Sequence, residues 1–123
     1  MSMIGLLVED MKRSLAFYRA LGLPIPEGAD EEAHVEVEIG CGVVLFWDTA
    51  FVATYDPHRK EPKGGYRVLP EFFVGSEEAV DILYEKLVAD GHRGHRPPFE
   101  TYFGAYMAMV DDPDGNTVLL TAG

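Results

Sequence analysis

The chain has 123 residues, 47% hydrophobic and 25% charged, with a formal net charge of −11 at pH 7. This length and composition predict one globular domain that can bury a core without crosslinks. The acidic balance argues against nucleic-acid binding, because phosphates are bound by clustered Lys and Arg. No apolar run reaches the roughly 18 residues that span a bilayer, and the N-terminus lacks a basic leader segment, so we expect a cytoplasmic protein without a membrane partner.

The first half predicts a strand, a helix and a hairpin. The strand MIGLLVED ends at Asp10, a good N-cap, and the helix that follows stops at Gly22. Residues 34–39 alternate strictly between apolar and polar, and 43–48 follow after a two-residue turn at Gly40-Cys41, which predicts a hairpin. The single cysteine of that turn is expected to be structural. Apolar residues at helical spacing predict the buried face of the helix: Met11, Leu15, Tyr18 and Leu21.

The second half repeats this order after a loop. Residues 51–65 contain Asp-Pro, Glu-Pro and Gly-Gly pairs, typical of a connection. A strand over 67–74 then leads to a helix from Ser76 to about Asp90, capped by Gly91. Strands are predicted near 93–99, 105–111 and 117–121, and the buried stripe of the helix is predicted as Ala79, Ile82, Leu83 and Leu87.

The two halves are similar to each other at a constant offset. Val8 and Asp10 recur as Val74 and Ser76, 66 residues further on, each pair before an amphipathic helix that ends at glycine. Such self-similarity predicts two related modules, about 1–50 and about 66–123, with the linker loop at about 51–65. We expect a groove where the modules meet.

Several short motifs in this order are typical of one family. They are the V-x-D entry to the first helix, the FY(R)xLGL end of that helix and the turn DPDGN at 112–116. Together the motifs resemble the glyoxalase/bleomycin-resistance/extradiol-dioxygenase superfamily, also called vicinal oxygen chelate proteins, over nearly the whole chain. The resemblance implies an α+β fold of two tandem βαβββ modules, with curled mixed sheets, helices outside and a concave groove inside. It also implies a homodimer.

Enzymes of that superfamily hold a divalent metal with His, Gln or Glu at equivalent strand positions. In this sequence the resemblance places those positions at Met3, Leu69, Leu119 and about Leu45. A thioether is a poor ligand for a hard divalent ion and leucine is no ligand, so we expect no metal at this site and no other cofactor.

The predicted hairpin register selects candidate binding residues. A two-residue turn would pair His34 with Trp47 and Glu36 with Leu45, and would turn all four toward the groove. Several candidates also fit a structural role: carboxylates on a solvated sheet face, Trp47 and the methionines in the core, Tyr102 and Phe103 in a dimer contact. The predicted ligand-binding residues are His34, Glu36, Trp47, Glu71, Phe73, Tyr102, Phe103, Met107 and Met109.

Three functions remain open from the sequence. The first is metal-independent binding of a small molecule, as in the bleomycin-resistance branch, with aromatic and carboxylate groups favouring cationic or planar ligands. The second is a lyase, isomerase or dioxygenase that uses either a displaced metal site of His34, Glu36 and Glu71 or metal-free acid–base chemistry. The third is a regulatory module that binds a partner through Phe51 or Tyr55. The sequence assigns no catalytic residue, because no nucleophile–histidine order or phosphate-binding glycine loop occurs.

Overall fold

The computed structural model describes residues 1–40 and 42–123. These residues form two compact units, 1–63 and 64–123, each with one α-helix and one mixed sheet. The α+β class and the tandem order predicted from the sequence are therefore confirmed. Cys41, in the predicted hairpin turn, lies outside the described residues. Within the described part of the chain, no helix is both long and apolar enough to cross a bilayer.

The first unit is a three-stranded sheet with one α-helix. Its elements are β1 (Met3–Leu7), α1 (Met11–Ala20), β2 (His34–Glu38) and β3 (Val44–Asp48), with short 3-10 helices at Glu27–Glu31 and Ala50–Thr54. The strand order is β1-β3-β2. β1 runs parallel to β3, and β2 pairs with β3 in the antiparallel sense.

Helix α1 has the ends that the sequence predicts, and Met11, Leu15 and Tyr18 of its predicted face are buried while Leu21 is half-buried. The Asp10 side chain accepts a hydrogen bond from the backbone N–H of Arg13 at 3.1 Å, which caps the helix. Gly22 ends it in the left-handed region, with φ of 94°. Tyr18 is buried, and its ring centroid lies 5.7 Å from that of Trp47 on β3. Helix α1 therefore packs on the face of the sheet that carries Trp47.

The second unit is a four-stranded sheet with one α-helix. Its elements are β4 (Glu71–Phe73), α2 (Glu77–Ala89), β5 (Gly94–Glu100), β6 (Tyr106–Asp111) and β7 (Thr117–Thr121). The order is β4-β7-β6-β5, with β4 parallel to β7 and the other pairs antiparallel. Asp112 closes the predicted β6–β7 turn, since its Oδ1 accepts from the backbone N–H of Asp114 and Asn116 at 2.9 and 2.8 Å.

Helix α2 has the predicted N-cap, but its buried face differs from the predicted one. The Ser76 hydroxyl accepts from the backbone N–H of Ala79 at 3.1 Å. Val80 and Leu87 are fully buried, whereas Ile82 is 58% exposed. Val80, Leu83 and Leu87 follow the spacing i, i+3, i+7, so the inward face is rotated from the one predicted through Ile82.

Strand β4 is shorter than the predicted strand over 67–74. Only Glu71–Phe73 form it, and Pro70, which has no N–H, precedes the strand. The carbonyl of Pro70 accepts from the N–H of Leu119 at 2.8 Å, so the ladder begins there. Leu69 is therefore outside the strand on which the prediction placed it.

The first unit has one strand fewer than the second in the described residues. In both units the first strand is parallel to the last, so β2 and β3 correspond to β6 and β7. The counterpart of β5 would follow Gly22, and the residues between α1 and β2 form a 3-10 helix at Glu27–Glu31 and no strand. Instead Arg19 holds this segment, donating to the carbonyl of Ile25 at 3.1 Å and to Asp30 at 2.7 Å.

The register of the first hairpin differs by one residue from the prediction. His34 lies opposite Asp48 and Glu36 opposite Phe46. The N–H of Ile39 donates to the carbonyl of Val43 at 2.9 Å. Ile39 therefore pairs with Val43, whereas a two-residue turn would have paired it with residue 42. A shift of one residue reverses the face of every side chain of one strand relative to its partner. The face toward α1 carries Val35, Val37, Leu45 and Trp47, all buried.

Candidate functional site

The face of the first sheet opposite α1 carries the polar side chains of the hairpin. Because side chains alternate along a strand and paired residues share a face, the register defines its members. We call this surface the open face of the first sheet. It consists of Met3, Gly5, Leu7, His34, Glu36, Glu38, Val44, Phe46 and Asp48.

Three residues at one end of the open face and Tyr55, which follows the 3-10 helix Ala50–Thr54, form a continuous chain of hydrogen bonds. His34 Nδ1 contacts Asp48 Oδ1, and His34 Nε2 lies 2.7 Å from Glu36 Oε2. The hydroxyl of Tyr55 donates to Asp48 Oδ2. We call these residues, His34, Glu36, Asp48 and Tyr55, the His34 cluster. It links a buried carboxylate, Asp48 at 1% exposure, to the half-exposed carboxylate of Glu36.

Two aromatic rings lie beside the imidazole of His34. The ring centroid of Phe46 lies 5.9 Å away and that of Phe51 lies 5.5 Å away. Phe51 belongs to the 3-10 helix after β3 and also contacts Tyr55, at 6.1 Å between centroids. Two rings and two carboxylates around an imidazole favour its cationic form, since both surroundings attract positive charge.

Hydrogen bonding shifts the pKa values of two groups in the His34 cluster. The bond to Glu36 and then the bond to Asp48 raise the pKa of His34 above its ordinary 6.5, against a smaller opposing effect of burial. The bond to Asp48 likewise raises the pKa of Tyr55 above its ordinary 10.0. Both shifts favour the protonated forms, so His34 and Tyr55 act as donors to the carboxylates.

In the second unit, the predicted residues of β4 and β6 share one face of the sheet. Glu71 and Met109 flank Leu119 in one row, and Phe73 and Met107 flank Thr121 in the next. Val110 and Leu120 are fully buried on the opposite face. The shared orientation of Glu71, Phe73, Met107 and Met109 is therefore as the sequence predicted.

The β5–β6 hairpin of the second unit borders a shallow cavity of about 400 Å³. Thr101 fixes the loop, because its Oγ1 accepts from the N–H of Ala105 at 2.9 Å and donates to the carbonyl of Ala105 at 3.0 Å. This loop presents Tyr102 and Phe103 at 99% and 66% exposure. The Arg96 guanidinium carbon lies 3.4 Å from the ring centroid of Phe99. The cavity is lined by Arg96, Phe99, Glu100, Thr101, Tyr102, Phe103 and Met107.

In the metal-dependent enzymes of the superfamily that this sequence resembles, certain strand positions hold the metal. The equivalent positions here carry side chains that cannot coordinate a hard divalent metal ion. Leu119 pairs with Glu71 in the second unit, and the corresponding pair in the first unit is Phe46 with Gly5. The first-module position is therefore Phe46 and not Leu45, which is buried toward α1. Phenyl, leucyl and thioether groups at Phe46, Leu69, Leu119 and Met3 do not fit a hard divalent ion.

Two residues of the displaced metal site considered from the sequence, His34 and Glu36, lie in the first unit. Both ring nitrogens of His34 already contact carboxylates of its own unit, Glu36 and Asp48. Across residues 1–40 and 42–123, no three His, Asp or Glu side chains are grouped so that they could hold a metal ion. A metal site that combines His34 and Glu36 of the first unit with Glu71 of the second stays a prediction.

The sequence matches a family of known proteins over residues 1–120, the glyoxalase/bleomycin resistance protein/dioxygenase superfamily. The chain belongs to this superfamily. No curated protein has a matching sequence.

Solved structures share the fold at low sequence identity. Hypothetical protein SA1046 from S. aureus is 24% identical with a TM-score of 0.80, over 100% of this chain and 92% of its own. A glyoxalase-related enzyme from Fulvimarina pelagi has the same identity and score, over 98% and 86%. Lactoylglutathione lyase from Agrobacterium tumefaciens is 21% identical with a TM-score of 0.65, over 98% and 91%.

One predicted binding residue lies in the core. Trp47 is 0% exposed and packs against Tyr18, so its predicted position on the open face is wrong. The same shift of register places Asp48 beside His34, a neighbour that the sequence reasoning missed. Arg96 was also missed as a site component, and Tyr55 was considered only as a residue that could bind a partner. An acidic residue that directly follows the apolar run VLFW was the available signal for Asp48.

Proposed function

We propose that this protein binds a small molecule without a metal ion, in the manner of a sequestering or resistance protein. The observation that carries the proposal is the chemistry of the four metal-ligand positions, Met3, Phe46, Leu69 and Leu119. Without a Lewis acid, affinity has to come from stacking, burial and charge pairing. A homodimer in the cytoplasm remains part of this proposal.

The groups available for binding favour a cationic or planar ligand. Glu36 on β2 and Glu71 on β4 are exposed carboxylates, and the net charge of −11 adds a general attraction for cations. Phe73, Tyr102 and Phe103 are aromatic and more than half exposed, so their rings are available for stacking. A charge-assisted contact to one carboxylate contributes roughly 1.5–3 kcal/mol.

Calorimetry with planar cationic dyes tests this proposal directly. We expect micromolar binding that weakens about tenfold or more in Glu71→Gln, since that change removes one charge-assisted contact. Glu85→Gln, an exposed position on α2, is the matched control and should bind as the parent does. Binding weaker than millimolar throughout the dye series would contradict the proposal. So would stoichiometric Zn, Ni, Mn or Fe in protein purified without chelator.

The His34 cluster favours a second candidate, an enzyme that uses metal-free acid–base chemistry. A histidine held between a buried and a half-exposed carboxylate is oriented for proton transfer at Glu36. The lyase among the similar structures suggests lactoylglutathione as the probe compound. Turnover that is lost in His34→Gln and retained in His58→Gln would support the enzyme. Absence of turnover in the parent protein would reject it for this substrate.

A further inference from the structure

The His34 cluster needs two N–H donors from one imidazole ring. Nδ1 contacts Asp48 and Nε2 contacts Glu36, and an ionised carboxylate only accepts hydrogen bonds. An imidazolium donates from both nitrogens, whereas neutral imidazole donates from one and presents a lone pair at the other. When His34 loses its proton, one of the two carboxylates therefore loses its donor and faces a lone pair.

Burial decides which carboxylate is released. Asp48 is 1% exposed, and an unpaired buried carboxylate is costly because water cannot replace the lost donor. The side chain of Glu36 is 52% exposed, so water can solvate it at once. The hydroxyl of Tyr55 also fixes Asp48 in place from its other oxygen. Neutral His34 thus keeps Asp48 and releases Glu36.

We propose that His34 is a proton-controlled switch on Glu36: protonated His34 pairs with this carboxylate, and neutral His34 frees it for a cationic ligand. The release of Glu36 follows from the His34 cluster alone, and its use in binding rests on the proposed function. The titratable groups that face the ring are Glu36 on β2 and Asp48 on β3. Tyr55 contacts Asp48, and the two aromatic rings beside the imidazole, Phe46 and Phe51, are uncharged.

The switch couples ligand binding to proton release. A cation that needs free Glu36 competes with the proton on His34, so each lowers the affinity for the other by the same factor. Below the pKa of His34, affinity for such a cation should fall by about tenfold per pH unit, as expected for the uptake of one proton. Above that pKa, affinity should not depend on this group.

Carbon-detected NMR of the ligand-free protein, labelled with ¹³C in glutamate, tests the release itself. We expect the Cδ shift of Glu36 to show an inflection at the same pH as the ring resonances of His34. We expect Glu36→Gln to lower the pKa of His34, because it removes the first of the two carboxylate partners. Glu36 is exposed, so the substitution should preserve the fold, which an ¹H–¹⁵N spectrum would verify.

Glu38→Gln is the matched control for this measurement. Glu38 lies on the same strand and the same face, two residues from Glu36, and is also exposed. It should leave the pKa of His34 unchanged. The proposal is overturned if the Glu36 shift is flat through the His34 titration, or if Glu36→Gln and Glu38→Gln act alike. No ligand enters this test, so its failure is separate from a failure of the dye-binding experiment.

Discussion

The ring of Phe46 lies directly against the backbone of Gly5 on the neighbouring strand. A Cβ atom at Gly5 would stand 2.2 Å from Cζ of Phe46 and 2.5 Å from its Cε2. The two residues are register partners in the parallel β1–β3 pair. The missing side chain at position 5 thus makes the space in which Phe46 lies, next to the imidazole of His34.

Substitution Gly5→Ala should destabilise the protein by forcing this ring to move. Overpacking of this kind costs about 1–3 kcal/mol, which urea denaturation can measure. The displaced ring should also perturb the NMR resonances of His34, since the two rings are in contact.

Gly28→Ala is the control for Gly5→Ala. A Cβ at Gly28 would meet no atom within 4 Å, and Gly28 has no positive φ. It should therefore leave stability nearly unchanged. Equal effects of the two substitutions would show that the Phe46 contact is not the cause.

The emission of the single tryptophan should report core packing. Trp47 is 0% exposed and contacts Tyr18, so acrylamide should quench its fluorescence weakly in the native protein and strongly in urea. Substitution Trp47→Ala should cost about 3–5 kcal/mol because it opens a large cavity. Strong quenching in the native state would restore the original prediction that Trp47 lies on an open face.

Local signals in the sequence predicted most of the fold. The caps at Asp10 and Ser76, the helix stop at Gly22 and the turn at Asp112 depend on residues within a few positions of one another. Such signals act the same way in most contexts, so each was found at its predicted place.

The site was harder to predict because it depends on pairing between strands. The glycines on both sides of Cys41 are compatible with more than one hairpin length. A turn longer by one residue moves the side chains of one strand to the opposite face of the sheet relative to its partner. That error exchanged Trp47 for Phe46 and hid the contact of His34 with Asp48. The misassigned Ile82 has a similar origin, since Val80 and Ile82 are equally apolar and only packing against the sheet distinguishes them.

Stability should depend on pH through His34. The pKa of His34 is raised in the folded state by Glu36 and Asp48. Its contribution to the free energy of unfolding is therefore complete below the unfolded pKa of 6.5 and is lost as pH rises through the folded pKa. Thermal unfolding of His34→Gln should therefore differ more from the parent at pH 6 than at pH 9. His58→Gln, an exposed position in the connecting loop, should follow the parent at both pH values. A constant difference between His34→Gln and the parent would contradict this assignment.

Tyr106 should ionise later than an ordinary tyrosine because of its bond to helix α2. Its hydroxyl donates to Asp81 Oδ1 at 2.5 Å, and this bond is the main reason that the pKa of Tyr106 is raised to about 12. The stability from this bond is complete below the ordinary pKa of 10.0 and is lost as pH rises toward about 12. Absorbance titration near 295 nm should show this late step in the parent, and Asp81→Asn should move it to lower pH by removing the charged acceptor. Glu78→Gln, on the first turn of α2, is the control and should not move the ionisation of Tyr106. A shift in this variant would show that the charges of the helix, and not the single hydrogen bond to Asp81, raise the pKa of Tyr106.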